Sequence, residues 1–274
     1  MPHLRISVIT PSLNQGPYIE CTVRSVLDQT GDFELEYLVF DGGSTDETLR
    51  ILRRYEGHLH WKSEPDRGQV DAINKGLHQA TGDIVGWINS DDTFFPGALA
   101  LVAAIFQNHP ETLWVHGRCE LTDEQDRPIR RWVANYKHRC CLRYSHAHLL
   151  TENFIHQPSV FWRRVVMERI GDLDPGWEWS FDYDWFLRLA KLGAPVYIPE
   201  RYARLRWYEE SKSGSHFIRQ LREAWAIGKR HDPGRPWHDL LKRYRLGRVM
   251  IAYGLMSAGR AMTRPFTRQA TKGY

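Results

Sequence analysis

The chain has 274 residues, 42% hydrophobic, 12% aromatic and 26% charged, with a formal net charge of +4. This is a globular balance, long enough for one large core or for one core and a small accessory lobe. No apolar run approaches the roughly 20 residues of a membrane span and the first ten residues have no signal-peptide layout, so a cytoplasmic location is expected.

The charge is unevenly placed. Residues 1–200 hold 20 Lys and Arg against 28 Asp and Glu, whereas residues 201–274 hold 17 against 5. The basic tail suits phosphates, an anionic membrane surface or the acidic body itself. Nucleic acid is not expected, because no recognised reader motif accompanies the tail. Cys21, Cys119, Cys140 and Cys141 have neither metal-ligand spacing nor a disulfide framework and read as reduced thiols.

In chain order, residues 5–12 form a first strand through Ile6, Val8 and Ile9, followed by a Pro- and Gly-bounded turn and a helix over 18–28. Residues 36–40 are a second strand ending in Asp41, and Ser44 or Thr45 can cap the helix begun by Leu49, Ile51 and Leu52. A third strand spans 59–62, a helix 69–79, and a fourth strand runs from Ile84 to Ile88. It stops in Asn89-Ser90-Asp91-Asp92-Thr93.

Strand and helix thus alternate four times in about 100 residues, with polar residues gathered after the strands. That predicts a doubly wound, mostly parallel α/β sheet with its ligand crevice at the strands' carboxyl ends. The first loop lacks Gly-x-Gly-x-x-Gly and nothing matches a phosphate-binding loop, which disfavours a Rossmann dehydrogenase or a P-loop NTPase. Adjacent carboxylates at a strand end repel and need a cation, a basic side chain or backbone N–H groups. Asp91 and Asp92 read either as a divalent-metal site for a diphosphate or as caps for the helix that starts at Ala98.

Four motifs then occur in order: Ile9-Thr10-Pro11-Ser12-Leu13-Asn14, Asp41-Gly42-Gly43-Ser44-Thr45-Asp46, Glu64-Pro65-Asp66-Arg67-Gly68-Gln69-Val70-Asp71-Ala72-Ile73-Asn74-Lys75-Gly76, and Asn89-Ser90-Asp91-Asp92. Together they resemble a family 2 glycosyltransferase of the GT-A fold, of the bacterial inverting type. The resemblance implies that Asp41 sits by the nucleoside base, with main chain near Pro11, Ser12 and Asn14 in the same slot. It sets Asp66, Arg67 and Asp71 around the ribose and phosphates. It assigns Asp92 to Mn2+ or Mg2+, with Asp91 and Ser90 at the ribose or metal-bound water. Arg67 can equally pair with neighbouring acids, and Asp71 with its helix N-terminus.

Farther along, residues 113–120 read as a strand and 120–132 as a hairpin turning at 123–128. Residues 153–164 resemble a strand common in bacterial members. Trp177-Glu178-Trp179-Ser180-Phe181-Asp182 leads into a helix with Trp185, Phe186, Leu189 and Leu192 on one face. Asp182 is the candidate base for an acceptor hydroxyl. Relatives often carry a Glu where Phe181 stands, so Asp184 is kept as the alternative. Trp177 and Trp179 are candidates to stack on a sugar ring.

Residues 202–213 are similar to a family loop over the diphosphate, with Tyr208 where relatives often have His and Lys212 within reach of phosphate. Residues 237–264 read as basic helix, with Leu246, Val249, Met250, Tyr253 and Met256 forming a stripe that suits a membrane surface, the catalytic domain or a second subunit. The expected organisation is a catalytic domain over 1–215, its halves 1–118 for the nucleotide sugar and 119–215 for the acceptor with a small sheet, and a helical extension over 216–274. The expected activity is metal-dependent transfer from a nucleotide diphosphate sugar, UDP favoured by the resemblance, to a hydroxyl of a glycan or lipid-linked saccharide in cell-surface polysaccharide synthesis. The rivals are a catalytically silent nucleotide-sugar module and a sugar-phosphate nucleotidylyltransferase. The latter normally needs a basic, Gly-rich first loop, which residues 11–17 lack.

Overall fold

Alternation of β-branched and apolar residues lays down the centre of the sheet. In the computed structural model, which describes residues 4–208 and 216–232 together with 240, 241, 244 and 247, β1 (Leu4–Ser12) runs parallel between β2 (Phe33–Asp41) and β4 (Ile84–Trp87). β3 (His60–Ser63) adds a parallel edge to β2. On the other side, β7 (Val160–Arg163) pairs antiparallel with β4 and with β6 (Trp114–Thr122). β8 (Val196–Arg206) runs parallel to β6, and the two-residue β5 (Thr93–Phe94) closes the far edge. The order is β3-β2-β1-β4-β7-β6-β8-β5, so the smaller set of strands expected on the acceptor side continues the parallel sheet rather than forming a second one.

Period-two alternation sends successive side chains to opposite faces. Ile6, Val8, Tyr37 and Val39 pack under α1 (Ile19–Leu27), α2 (Thr48–Arg53) and α4 (Ala98–Asn108). Ile9, Leu38, Phe40 and Trp87 face α3 (Gln69–Gln79) and, farther along, α5 (Arg131–Leu142), α6 (His146–Leu149) and α8 (Phe181–Leu192). The short α7 (Met167–Ile170) follows β7. Trp87, Trp114, Trp162 and Trp185 are fully buried, with edge contacts of 5.5 Å between Trp87 and Trp162 and 5.2 Å between Trp162 and Trp185. Four of the eleven tryptophans are therefore core.

Two elements differ from expectation. The hairpin over 120–132 is a tight turn with a single bridge, Thr122 to Pro128, after which the chain becomes α5. Its helical pattern is hidden in sequence because Arg131, Trp132 and Asn135 are exposed while Ala134, Cys140 and Cys141 are buried. Residues 202–206 are strand, not loop, because β8 pairs with β6, with Cys119 opposite Ala203 and Thr122 opposite Arg206. Helix α9 (Phe217–His231) packs on α8, with Ile227 fully buried. The apolar stripe of the tail and its arginines lie outside the described residues. Among the described residues no helix is long and apolar enough to cross a membrane.

Gly86 sits in the central strand where a Cβ would come within 2.7 Å of the Phe161 ring on β7. A glycine in a strand interior marks such a close approach. Gly86→Ala should cost about 1–3 kcal/mol by overpacking, read as a lower urea midpoint at an unchanged m-value.

Candidate active site

The carboxyl ends of β1 and β4, the start of α3 and the head of α8 surround a cavity of about 440 Å³. Its first wall is made by two loops stitched together. The Asn14 N–H donates to Ser44 Oγ at 2.7 Å, and the Thr45 N–H donates to Asn14 Oδ1 at 2.9 Å. Asn14 takes a φ of 52°, which asparagine tolerates because its side chain bonds locally. Asp41, 2% exposed, accepts from the Gly43 N–H at 3.0 Å, the Ser44 N–H at 2.8 Å and Ser63 Oγ at 2.6 Å. Its carboxylate therefore organises the turn beneath the cavity.

Asp66 lines the cavity and lies over Gly42, where a Cβ would meet the Asp66 carboxylate at 2.7 Å. Pro11, Ser12 and Ser90 line it too. Arg67 does not: its side chain is 90% exposed and paired with Asp71 at 3.0 Å, and Asp71 also pairs with Lys75 at 3.2 Å. Arg67 and Asp71 thus hold each other on the rim, and the Arg67 guanidinium first, with Lys75, keeps the Asp71 carboxyl below the usual range. Lys212 lies outside the described residues.

At the end of β4 the two acids part company. Asp91 turns to the cavity and accepts from the Tyr208 hydroxyl at 3.1 Å. Asp92, 2% exposed, turns inward and accepts from the Arg206 N–H at 2.9 Å and the Asn89 amide at 3.3 Å. The sequence expectation gave the cation first to Asp92, whereas it is Asp91 that lines the cavity and Asp92 that holds a peptide N–H. Burial raises the Asp91 carboxyl, and burial together with the Asp91 charge pushes Asp92 well up. Arg206 eases both without offsetting the desolvation, because its guanidinium donates to the Asp91 carbonyl at 2.7 Å and to Asp126 at 2.6 Å.

Among the described residues no three His, Cys, Asp or Glu side chains gather as metal ligands. Mg2+ and Mn2+ sites need only one or two carboxylates when phosphate oxygens and waters supply the rest. One partly buried carboxylate, Asp91, looking into a polar cavity and bonded to no cationic side chain among the described residues, fits that requirement. The Tyr208 phenol, its ionisation suppressed chiefly by burial, is a hydrogen-bond donor there and not a ligand.

The opposite wall is α8. Asp182 and Asp184 are two positions apart on a helix and so face opposite ways. Asp182 lines the cavity beside Phe181 and Trp179. Asp184, 3% exposed, is turned away and bonded to Arg188 at 2.9 Å and His231 at 2.8 Å. Trp177 lies beneath the Arg230 guanidinium and does not line the cavity.

Sequence reasoning missed several lining residues. Lys137 comes from the unexpected α5 and reaches the Ile155 carbonyl at 3.4 Å. Burial lowers its ammonium pKa, and the Asp182 charge opposes that first. His156 is driven well below its ordinary value by burial and by Lys137, so it is neutral. Gln157 donates to the Trp87 carbonyl at 2.7 Å. The Ser12 Oγ, Asn153 Oδ1 and Gln157 Oε1 are buried and find no partner among the described residues, which marks the cavity as built for a polar ligand. The Gln157 stretch carried a signal, the run Asn153 to Ser159; Lys137 carried none.

The description Glycosyl transferase family 2 belongs to a family whose profile matches residues 7–170. An uncharacterized glycosyltransferase of Mycobacterium tuberculosis is 32% identical over 256 residues, 90% of this chain and 89% of the relative. A PGL/p-HBAD biosynthesis glycosyltransferase of Mycobacterium bovis is 30% identical over 188 residues, 66% of this chain and 68% of that one. Residues 1–349 of S. aureus TarS, in complex with UDP-GlcNAc, superpose with a TM-score of 0.63 at 19% identity over 87% of this chain and 70% of that one. The chain spans 42% of the longer TarS chain. The mannosyltransferase PcManGT from Pyrobaculum calidifontis, in complex with GDP-Man and Mn2+, gives 0.61 at 20% identity, over 95% of this chain and 80% of that one. These two structures speak for the fold, which is GT-A.

The buried Asp184 ion pairs make a stability prediction. Asp184→Asn should cost about 3 kcal/mol in urea unfolding, because Arg188 and His231 lose their shared counter-charge. Burial raises the Asp184 carboxyl, but the bond from His231 and the charge of Arg188 outweigh it and leave it below 3.8. Its contribution is therefore complete above 3.8 and lost as pH falls through the lowered native value, so the gap between wild type and variant should close in acid.

Proposed function

The chain belongs to glycosyl transferase family 2, and from that premise we propose that it is an inverting, metal-dependent transferase that moves a sugar from a nucleoside diphosphate donor to a hydroxyl of a glycan or lipid-linked saccharide. One observation carries this: Asp91 at the end of β4 and Asp182 at the head of α8 line the same cavity from different walls. One carboxylate can serve the leaving diphosphate while the other serves the nucleophile. A UDP-sugar is favoured because the cavity is built on the fold that TarS uses with UDP-GlcNAc. Cell-surface saccharides are the favoured acceptors, given the relative named for PGL/p-HBAD biosynthesis.

In this mechanism the nucleoside lies along Pro11 and Ser12 over the turn held by Asp41, with Asp66 near the ribose. Asp91 would hold a Mn2+ or Mg2+, which would supply positive charge against the departing diphosphate. Tyr208 steadies the Asp91 carboxylate by its hydrogen bond. Asp182 accepts the acceptor proton as the hydroxyl attacks the anomeric carbon opposite the diphosphate, which inverts that centre. Arg67, Asp71 and Asp184 are structural in this scheme.

Calorimetric titration of UDP, GDP, TDP and CDP, with and without Mn2+, tests the donor side, with wild type compared to Asp91→Ala. Metal-dependent binding of one nucleotide, lost in the variant, is expected; no binding by wild type would sink the transferase proposal. Asp182→Asn should bind that nucleotide normally yet release it from the matching sugar nucleotide about 10²- to 10⁴-fold more slowly in the presence of acceptor. Near-normal turnover would remove Asp182 as the base.

A further inference from the structure

Helix α9 lies beyond the matched family region, which ends at residue 170, yet it forms part of the cavity. Gln220 lines the cavity together with Trp179 and Asp182. His216, just before the helix, stacks on the Trp179 ring with centroids 4.3 Å apart and planes at 25°. Glu223 completes the arrangement. Its carboxylate accepts from three consecutive peptide N–H groups, those of Glu178 at 3.0 Å, Trp179 at 2.6 Å and Ser180 at 2.9 Å. The Ser180 hydroxyl donates in turn to the Gln220 carbonyl at 3.0 Å.

Bonds from peptide N–H groups to an ionised carboxylate are among the stronger hydrogen bonds, and three of them fix three peptide planes at once. Those planes lead straight into the first turn of α8, which carries Asp182. The helix itself is held from behind by the buried Ile227, by His231 on Asp184 and by Arg230 on Asp174 at 2.7 Å. The clamp is thus rigid at both ends, which is what a site needs to hold a substrate hydroxyl against a base.

We propose that α9 is the acceptor-side wall of the active site. Trp179, backed by His216, offers a flat ring face for the C–H face of a pyranose, and Gln220 offers an amide for one of its hydroxyls. Glu223 is the positioning residue that sets this shelf relative to Asp182. The ligand class is a saccharide ring, and the proposal rests on the reading of Asp182 as the base. On this view residues 216–231 belong to the catalytic unit, and a domain boundary at 215 would cut through the site.

The full chain with UDP and Mn2+ is examined by saturation-transfer NMR against methyl glycosides of glucose, galactose, mannose and rhamnose, in wild type, Gln220→Ala, Glu223→Ala and Glu223→Gln. Wild type should saturate the ring protons of at least one glycoside. Gln220→Ala and Glu223→Ala should weaken that binding about fivefold, the value of one hydrogen bond, while Glu223→Gln recovers part of it and UDP affinity stays unchanged. Gln220→Ala removes only a side chain at the cavity wall, so it reads the shelf even if Glu223→Ala unfolds. Undiminished saturation in Gln220→Ala, or no saturation of any glycoside by wild type, would overturn the shelf. Parallel loss of UDP affinity in Gln220→Ala would assign the wall to the donor instead. Saturation by a wild type that binds no nucleoside diphosphate would keep the saccharide shelf and defeat the transferase reading.

Discussion

Two adjacent carboxylates at the end of a fully buried strand are the constraint around which the rest of this protein is arranged. Burial works against charge on both, and the fold responds by giving each a different partner. Asp92 is tied to the peptide of Arg206, and its own carbonyl accepts from Thr22 on α1 at 2.7 Å. Asp91 is left facing the cavity with one phenol bonded to it. The result is a carboxylate already oriented and partly desolvated before any ligand arrives, which is how preorganised electrostatic sites avoid reorganisation during the reaction.

Arg206 is the element that makes the arrangement mechanically coherent. Its guanidinium lies over the Tyr18 ring at 4.7 Å, and Tyr18 contacts Tyr208 at 5.1 Å. The end of β8, the loop after β4, the turn at Asp126 and the start of α1 are therefore held by one buried side chain. Arginine suits this work because its planar fork satisfies several oxygens at once while its charge persists at any working pH.

The second wall follows a different logic. There the helix period decides everything: it turns Asp182 to the cavity and Asp184 to α9, so one short sequence supplies both the reacting group and the anchor of its own support. The charge of Asp184 goes to stability through Arg188 and His231, and that of Glu223 to the loop ahead of the helix. Stability and chemistry are thus separated by 200° of helix rather than by distance along the chain.

The alternation of apolar strands with amphipathic helices was legible in the amino-acid order, and so was the crevice at the ends of β1 and β4, because period and turn chemistry are local properties. Pro11, Ser12, Asp66, Ser90, Asp91, Trp179 and Asp182 were each singled out from the chain and each lines the cavity. What the order of residues could not decide was which member of a neighbouring pair faces inward, Asp91 or Asp92, Asp182 or Asp184, or that Arg67 and Asp71 would bind one another. Nor could it reveal Lys137, Gln220 or Glu223, whose significance comes from partners on other elements. Those choices depend on which peptide N–H or guanidinium arrives from a distant strand or helix to compete for each carboxylate, and only tertiary packing brings the competitors together.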